Sequence, residues 1–385
     1  MTNEMLQPNA TNTLASAPTR LLVAMEMSLK TWRLVMAPEG AIRKRVKTVE
    51  AGNYLAVEQA VAEAKARFHL AAETPVVFCY EAGRDGFYPY RRLTAEGHTV
   101  WVIDSASIEV SRCRKQAKSD GIDGDKLAEL MQRQARGEPK ALRIVRVPPP
   151  DVEDQRLLPR ERERLLQDLG RLHNQIDSIL FAHGYREVPN RGGALRTWVA
   201  ARPELPPHLR ERLGREIERL ALLESHCHAV ETALAEQVRQ NPHTGMMAVA
   251  WSLMQLCGIG LIGAWVLASE IFGWRQFRNR REVGAILGLT PTPYSSGQSE
   301  REQGISKAGN RRARALLVEL AWLWLRYQPD SALTRWFQAR FGGGGKRLRR
   351  IGIVALARRL AIALWRYTGQ GVIPEGARLK STATA

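Results

Sequence analysis

Acidic residues are in short supply. The chain has 39 Asp and Glu against 57 Lys and Arg over 385 residues, giving a formal net charge of +18 and a pI near 10.3. Between positions 331 and 374 there is no Asp or Glu at all. Such a balance argues against a cationic partner and for a polyanion, either nucleic acid or an anionic membrane surface. Long apolar runs are also missing. None approaches the roughly 18 residues of a spanning helix, and the best candidate, 351–365, is broken by Arg358 and Arg359. The first 20 residues lack the basic start and apolar centre of a signal peptide. They read as a disordered leader. A cytoplasmic, nucleoid-associated location with no membrane partner is expected. The four cysteines (Cys79, Cys113, Cys227, Cys257) include no CxxC pair. This argues against a structural zinc and fits reduced thiols.

What is present is ordinary for a folded protein. Apolar content is 44% and charged content 25%, enough for two or three domains with cores. Residues 21–150 read as strands followed by alternating helix and strand, an α/β sheet with helices on its faces. Residues 151–240 hold two long Leu/Arg/Glu-rich helices, about 153–183 and 209–239, separated by a Gly/Pro-containing segment. They read as a helical hairpin or a coiled coil used between subunits, with a solvated helical spacer as the plainer reading. Residues 241–370 read as mostly helical, and 371–385 as a disordered tail. The fold class is therefore α/β plus all-α.

Within the first region the acids are oddly placed. Glu26 interrupts an apolar strand, where an unpaired charge is costly to bury. Glu81 ends another strand. Asp120 and Asp123 start a helix, and their separation of three puts both on one helical face. Four carboxylates brought together need a neutralising cation, and an all-oxygen set suits Mg²⁺ or Mn²⁺. The simpler alternatives stay open: Asp120 and Asp123 as helix caps, and Glu81 paired with Arg84. Asp125 is expected to face solvent.

In the last region, Gly258, Gly260 and Gly263 between apolar helices suggest a helix-hairpin-helix turn whose backbone N–H groups hold a DNA phosphate. A close helix crossing is the alternative. Residues 287–314 have neither helical nor extended periodicity and read as a long polar loop. The loop offers Tyr294, Ser295 and Ser296 beside Gly297, then Lys307, Arg311, Arg312 and Arg314. Hydroxyls followed by cations suit a phosphate site. Farther on, GGGGKRLRR supplies Lys346, Arg347, Arg349 and Arg350 for backbone contacts to nucleic acid.

The segment GIGLIGAWVLASEIFGWRQFRNRREVGAILGLTPTPYSSGQSEREQGISKAGNRRARALLVELAW resembles the C-terminal domain of the serine-type transposases of the insertion-sequence one-ten family, which includes the Piv DNA invertases. CYEAGRDG and KSDGIDGDKLA resemble their RuvC-like (RNase H-like) domain. The resemblance implies an acidic quartet at Glu26, Glu81, Asp120 and Asp123, with Glu26 standing where Asp is commoner. It implies a nucleophilic serine at Ser296, directly before the glycine. It further implies a composite active site in a dimer or tetramer, donor and target DNA as substrates, and guidance by a structured non-coding RNA.

The resulting expectation is a Mg²⁺-assisted DNA recombinase working through a phosphoserine link. Its rivals are a RuvC-like nuclease using water, Tyr294 as nucleophile, and a non-catalytic architectural nucleic-acid-binding protein.

Overall fold

In the computed structural model the described residues are 20–104, 120–139, 141–189, 192–296 and 299–380; at 120–123, 192, 293–296 and 299–303 only the backbone is described. The chain divides into two compact units, residues 1–147 and 148–385.

The first unit is built on a five-stranded sheet in the order β3-β2-β1-β4-β5. Strands β1 (Leu21–Met27), β2 (Thr31–Pro38) and β3 (Arg45–Glu50) form an antiparallel meander. Helix α1 (Tyr54–Arg67) leads to β4 (Val76–Glu81), which lies parallel to β1. Helix α2 (Tyr88–Ala95) then leads to β5 (Thr99–Ile103), parallel to β4. Strand β1 is apolar nearly throughout because both its faces are covered. Leu21, Val23 and Met25 join the core with Val57, Ala60, Val61 and Leu93. Leu22 and Ala24 face the other way, into a core with Leu127, Leu130 and Met131 of α3 (Asp120–Ala135).

The second unit begins with α4 (Pro150–Gln155) and α5 (Leu157–Ala182). The Gly/Pro segment contains an unforeseen helix, α6 (Gly192–Ala200), and α7 (Pro207–Gln240) follows. Leu172, Ile176 and Leu180 of α5 pack on Leu209, Leu213, Ile217 and Leu220 of α7, and Leu195 and Val199 of α6 close the same core. Next come α8 (Gly245–Met254), α9 (Leu261–Leu267), a π-helical turn over Ala268–Phe272 and α10 (Arg280–Ile286). Helices α11 (Arg311–Tyr327), α12 (Ala332–Phe337) and α13 (Lys346–Gln370) complete a core centred on the buried Trp265 and Trp324. Among the described residues, no helix is long and apolar enough to cross a membrane.

Two expectations change. The aperiodic loop contains a β-hairpin, with β6 (Pro291–Ser296) antiparallel to β7 (Ser299–Ile305) and a register shift at Pro291/Pro293. It is a two-stranded sheet, so both strands are edges and can tolerate proline. The segment 371–380, expected to be a disordered tail, is bound. Cys257 N donates to Arg378 O (3.1 Å), Lys380 N donates to Gln255 O (2.7 Å), and Leu379 bridges Leu256. Its backbone satisfies the turn after α8 and the buried Gln328, whose Nε2 donates to Arg378 O (2.9 Å). The leader 1–19 and residues 381–385 lie outside the described residues.

The legs of the hairpin are pressed together by two glycines. Gly309 has φ +92°, and a Cβ there would stand 2.2 Å from Ile286 O. Gly288 has φ +63°, and its Cβ would meet Ala308 O at 2.1 Å. Gly309→Ala is expected to destabilise the second unit by more than about 1 kcal/mol, from a disfavoured φ plus a backbone clash. Urea unfolding checks this: an unchanged midpoint would contradict the tight crossing.

Candidate active site

The acids of the first unit gather at one end of its sheet. Met25 of β1 pairs in register with Tyr80 of β4. Glu26 and Glu81 are the next residues on these neighbouring parallel strands. Side chains alternate along a strand, so both follow Ala24 and Cys79 by two and share their α3-covered face. Helix α3 approaches closely there. A Cβ on its buried Gly124 would stand 3.2 Å from Glu26 Oε2 and 2.6 Å from Arg33 Nη1. Arg33 lies directly across β2 from Glu26. Asp125, expected to face solvent, does have a partly exposed side chain; it bonds to Lys44 Nζ (2.7 Å) and lies 3.7 Å from Arg33 Nη2. The partly buried β2 cation and the β3-side lysine supply its counter-charge. Arg84 lies 3.7 Å from Asp85 Oδ2. Asp120 and Asp123 stand in the first turn of α3, the helix that carries Gly124; their side chains lie outside the described residues.

This end of the sheet has a further property. Strand order runs outward through β2 and β3 on one side of β1, and through β4 and β5 on the other. The reversal falls between β1 and β4, where Glu26 and Glu81 end. The crevice beyond the carboxyl ends of strands at such a switch point is where open α/β sheets bind ligands.

In the second unit, Ser296 is the last residue of β6 and pairs with Ser299; Tyr294 pairs with Arg301 and Ser295 with Glu300. The hydroxyls at 294–296 and all of Gly297 lie outside the described residues. At the hairpin base, Lys307 is exposed with φ +56°, and its N–H donates to Gly288 O (3.1 Å). Arg311 is exposed. Arg312 pairs with Glu163 of α5. Arg314 is turned inward and donates to Leu287 O (3.1 Å); burial and the neighbouring Arg311 lower its pKa. Lys346, Arg347, Arg349 and Arg350 are all exposed on the first turns of α13. Gly260 caps α9 and is exposed. Gly258 has φ +88° and packs on α11, where a Cβ would meet Tyr327 Cβ at 3.2 Å.

Two charged groups were not singled out from the sequence. Glu58, Glu96 and His98 offer ligand atoms within 4.8 Å of one another. Arg92 already pairs with Glu96 (2.7 Å) and His98 Nε2 lies 2.9 Å from Glu58 Oε1, so each carboxylate of this cluster already has a protein partner. Glu270, in the π-helical turn, is 1% exposed. It accepts from Arg156 Nη2 (2.6 Å), Arg160 Nη2 (2.9 Å) and Asn310 Nδ2 (2.9 Å). Burial pushes its pKa up, but the two guanidiniums outweigh burial and hold the carboxyl below its ordinary value. An acid within an apolar helical pattern gives no sequence signal of this kind.

Comparison with known proteins covers nearly the whole chain. Residues 250–335 match the family model described as Transposase IS116/IS110/IS902 family. Residues 35–183 match the IS110 DEDD model described as Transposase. That span includes Glu81, Asp120 and Asp123 and begins after Glu26. The chain is 40% identical over 379 residues to the "Putative transposase y4rJ" of Sinorhizobium fredii, covering 94% of this chain and 95% of that protein. It is 28% identical over 310 residues to the "Transposase for insertion sequence element IS1328" of Yersinia enterocolitica, covering 79% and 87%.

The depressed Glu270 carboxyl has a consequence for pH. Its stabilisation is fully present above the ordinary carboxylate pKa of about 4.3 and is lost as pH falls through the lower folded value. Glu270→Gln should destabilise the second unit at neutral pH by about 3 kcal/mol. It should also flatten the stability curve below about pH 4.3. Denaturation between neutral and acid pH checks both; parallel curves for variant and parent would contradict the charged node.

Proposed function

The chain belongs to the IS116/IS110/IS902 family of insertion-sequence transposases, and on that footing we propose a DNA strand-exchange reaction shared between its two units. The observation that carries the reading is the meeting of Glu26, Glu81 and the start of α3 at the switch point of the sheet. Asp120 and Asp123 precede the buried Leu127 by seven and four residues, the helical spacing of a single stripe. That spacing supports a reading in which all four carboxylates serve one crevice, in an RNase H-like domain that we assign to 21–150.

An all-oxygen set of this kind fits Mg²⁺ or Mn²⁺. Such an ion, when bound, stabilises charge on a phosphate and on the oxygens entering and leaving it. Arg33, across from Glu26 on β2, adds a fixed positive charge beside that carboxylate.

The hairpin of the second unit supplies the nucleophile. Ser296 Oγ attacks the phosphorus, a Ser–O–P bond forms, and the phosphorus–oxygen bond to deoxyribose breaks. The serine proton passes to a carboxylate, and the departing oxygen takes up a proton. The phosphodiester energy stays in the phosphoserine link for rejoining. The position of Ser296 at the strand end before the turn supports this choice over Ser295 and Tyr294. Lys307 and Arg311 contact phosphates beside it, and the exposed run 346–350 tracks the backbone. We assign the helical hairpin to 151–240 and the serine domain to 241–370, with Gly258 and Gly260 in a phosphate-contacting turn. A dimer or tetramer and a structured guide RNA complete the proposal, supported by the family resemblance and the basic charge.

A second reading is favoured by one finding. The DEDD match spans three of the four acids and ends before the hairpin. In that reading water attacks and the hairpin only binds DNA.

Denaturing gels of wild-type protein with end DNA and Mg²⁺ should show a covalent adduct. Ser296→Ala should remove adduct and joined product together. Asp123→Ala, or chelation of the metal, should lower strand cleavage by at least about 10²-fold, as expected for loss of a transition-state charge clamp. Cleavage surviving in Ser296→Ala would select water. Cleavage surviving in Asp123→Ala would remove the acidic centre from the mechanism. Separately, replacing Lys346, Arg347, Arg349 and Arg350 by Gln should reduce the salt slope of binding by about 0.9 per lost phosphate contact; an unchanged slope would exclude that run from the DNA surface.

A further inference from the structure

Glu270 and Asn310 form a link between the helical hairpin and the hairpin that carries Ser296. Asn310 is the N-cap of α11, and its Oδ1 accepts from Ala313 N (3.0 Å). Its own backbone N–H donates to Ile286 O (2.7 Å), at the end of α10. The residue therefore joins the two ends of the segment from which β6 and β7 project. Its remaining amide group donates to Glu270 Oε2 (2.9 Å).

The other partners of Glu270 come from a different part of the second unit. Arg156 lies at the junction of α4 and α5, and Arg160 is one turn into α5; both grip the same carboxylate. Arg312, on the first turn of α11, reaches Glu163, also on α5. The start of α11 is thus tied to α5 twice, through a buried charged node and through an exposed ion pair. Glu270 reaches this position from a π-helical turn. Turns of this kind insert an extra residue and re-aim the chain beyond them, and they recur at functional sites.

The choice of Asn is informative. Ser, Asp and Asn cap a helix about equally well. Only Asn accepts the capping bond and offers an N–H to a second partner. Asp would set a carboxylate against Glu270, and Ser has a single shorter hydroxyl. A cap alone does not require the amide; a cap that must also be fixed to a buried carboxylate does.

We propose that the Asn310–Glu270 pair is a positioning device. It fixes the angle of the serine hairpin and of the α11 cations relative to α5, so that movement of the helical hairpin is passed to the strand carrying Ser296. The catalytic part of this statement rests on Ser296 being the nucleophile; the mechanical part does not. Arg156, Arg160 and Asn310 share the one Glu270 carboxylate, a single negative charge against two guanidiniums.

The test exchanges the two groups in the full chain. Asn310→Asp keeps the cap oxygen and places two carboxylates together. Asn310→Asp with Glu270→Gln restores a donor–acceptor pair with the same total charge. Amide hydrogen exchange read by mass spectrometry should accelerate by about tenfold or more over 286–313 in Asn310→Asp, as for loss of a charge-assisted bond. The double variant should exchange more slowly than Asn310→Asp over this segment without reaching the wild-type rate, because Arg156 and Arg160 lose their carboxylate. Adduct formation should fall and recover with the same pattern, while DNA affinity stays constant. Asn310→Ser, which keeps the cap without the amide, should accelerate exchange in the same segment and gain nothing from Glu270→Gln. A double variant no better than Asn310→Asp would overturn the proposal, as would faster exchange spread evenly over 148–385. Should wild-type protein form no adduct while the exchange pattern holds, the serine mechanism fails and the link between α5 and the hairpin stands.

Discussion

Carboxylates at the ends of neighbouring strands repel one another unless positive charge is brought to them, and the first unit is arranged around that constraint. Glu26 and Glu81 end adjacent parallel strands on one face. The sheet could bury apolar residues there at no electrostatic cost. It holds two acids instead, and a third helix arrives with two more near its start. Gly124 lets that helix come within contact of Glu26 and Arg33. Arg33 answers part of the negative charge. The remainder is the basis on which a divalent cation is proposed for the crevice.

The second unit solves the opposite problem. It must hold an excess of cations without flying apart, and it buries the Glu270 carboxylate where Arg156 and Arg160 converge. Glu270 satisfies Arg156, Arg160 and the α11 cap at once. Breaking a buried pair of this kind costs more than a surface ion pair contributes, because a charge is left stranded. Cations away from the node remain at the surface: Lys307, Arg311 and the run from Lys346 to Arg350 are exposed. One unit thus gathers acids at one end of its sheet, and the other presents bases at its surface, the division of labour on which the proposed reaction rests.

Much of the first unit was legible in the sequence. Strands such as LLVAMEM and VVFCYE are apolar runs of the right length, and helix α1 shows its stripe at Val57, Ala60, Val61 and Ala64. A lone Glu inside such a run drew attention to position 26, and the sheet puts it beside position 81. Other features left no periodic trace. Strands β6 and β7 are polar on both faces and carry two prolines, so their pairing was invisible. Helix α6 is hidden by the two glycines of its own first turn. The segment 371–380 is held by backbone bonds to the α8 turn and Gln328, which side-chain composition does not reveal. Asp125 is partly exposed as its helix position suggested, but its ion pairs with Arg33 and Lys44 were not legible because those partners are more than 80 residues earlier in the chain.

The central claim is that chemistry at the acidic crevice ends on the serine of the hairpin. The most direct measurement is to trap wild-type protein on end DNA in Mg²⁺, digest the DNA, and map the remaining nucleotide by peptide mass spectrometry. The account predicts a nucleotide mass on Ser296, in the tryptic peptide running from Glu282 to Arg301. A nucleotide on Tyr294 or Ser295, or cleaved DNA with no modified peptide, would contradict it.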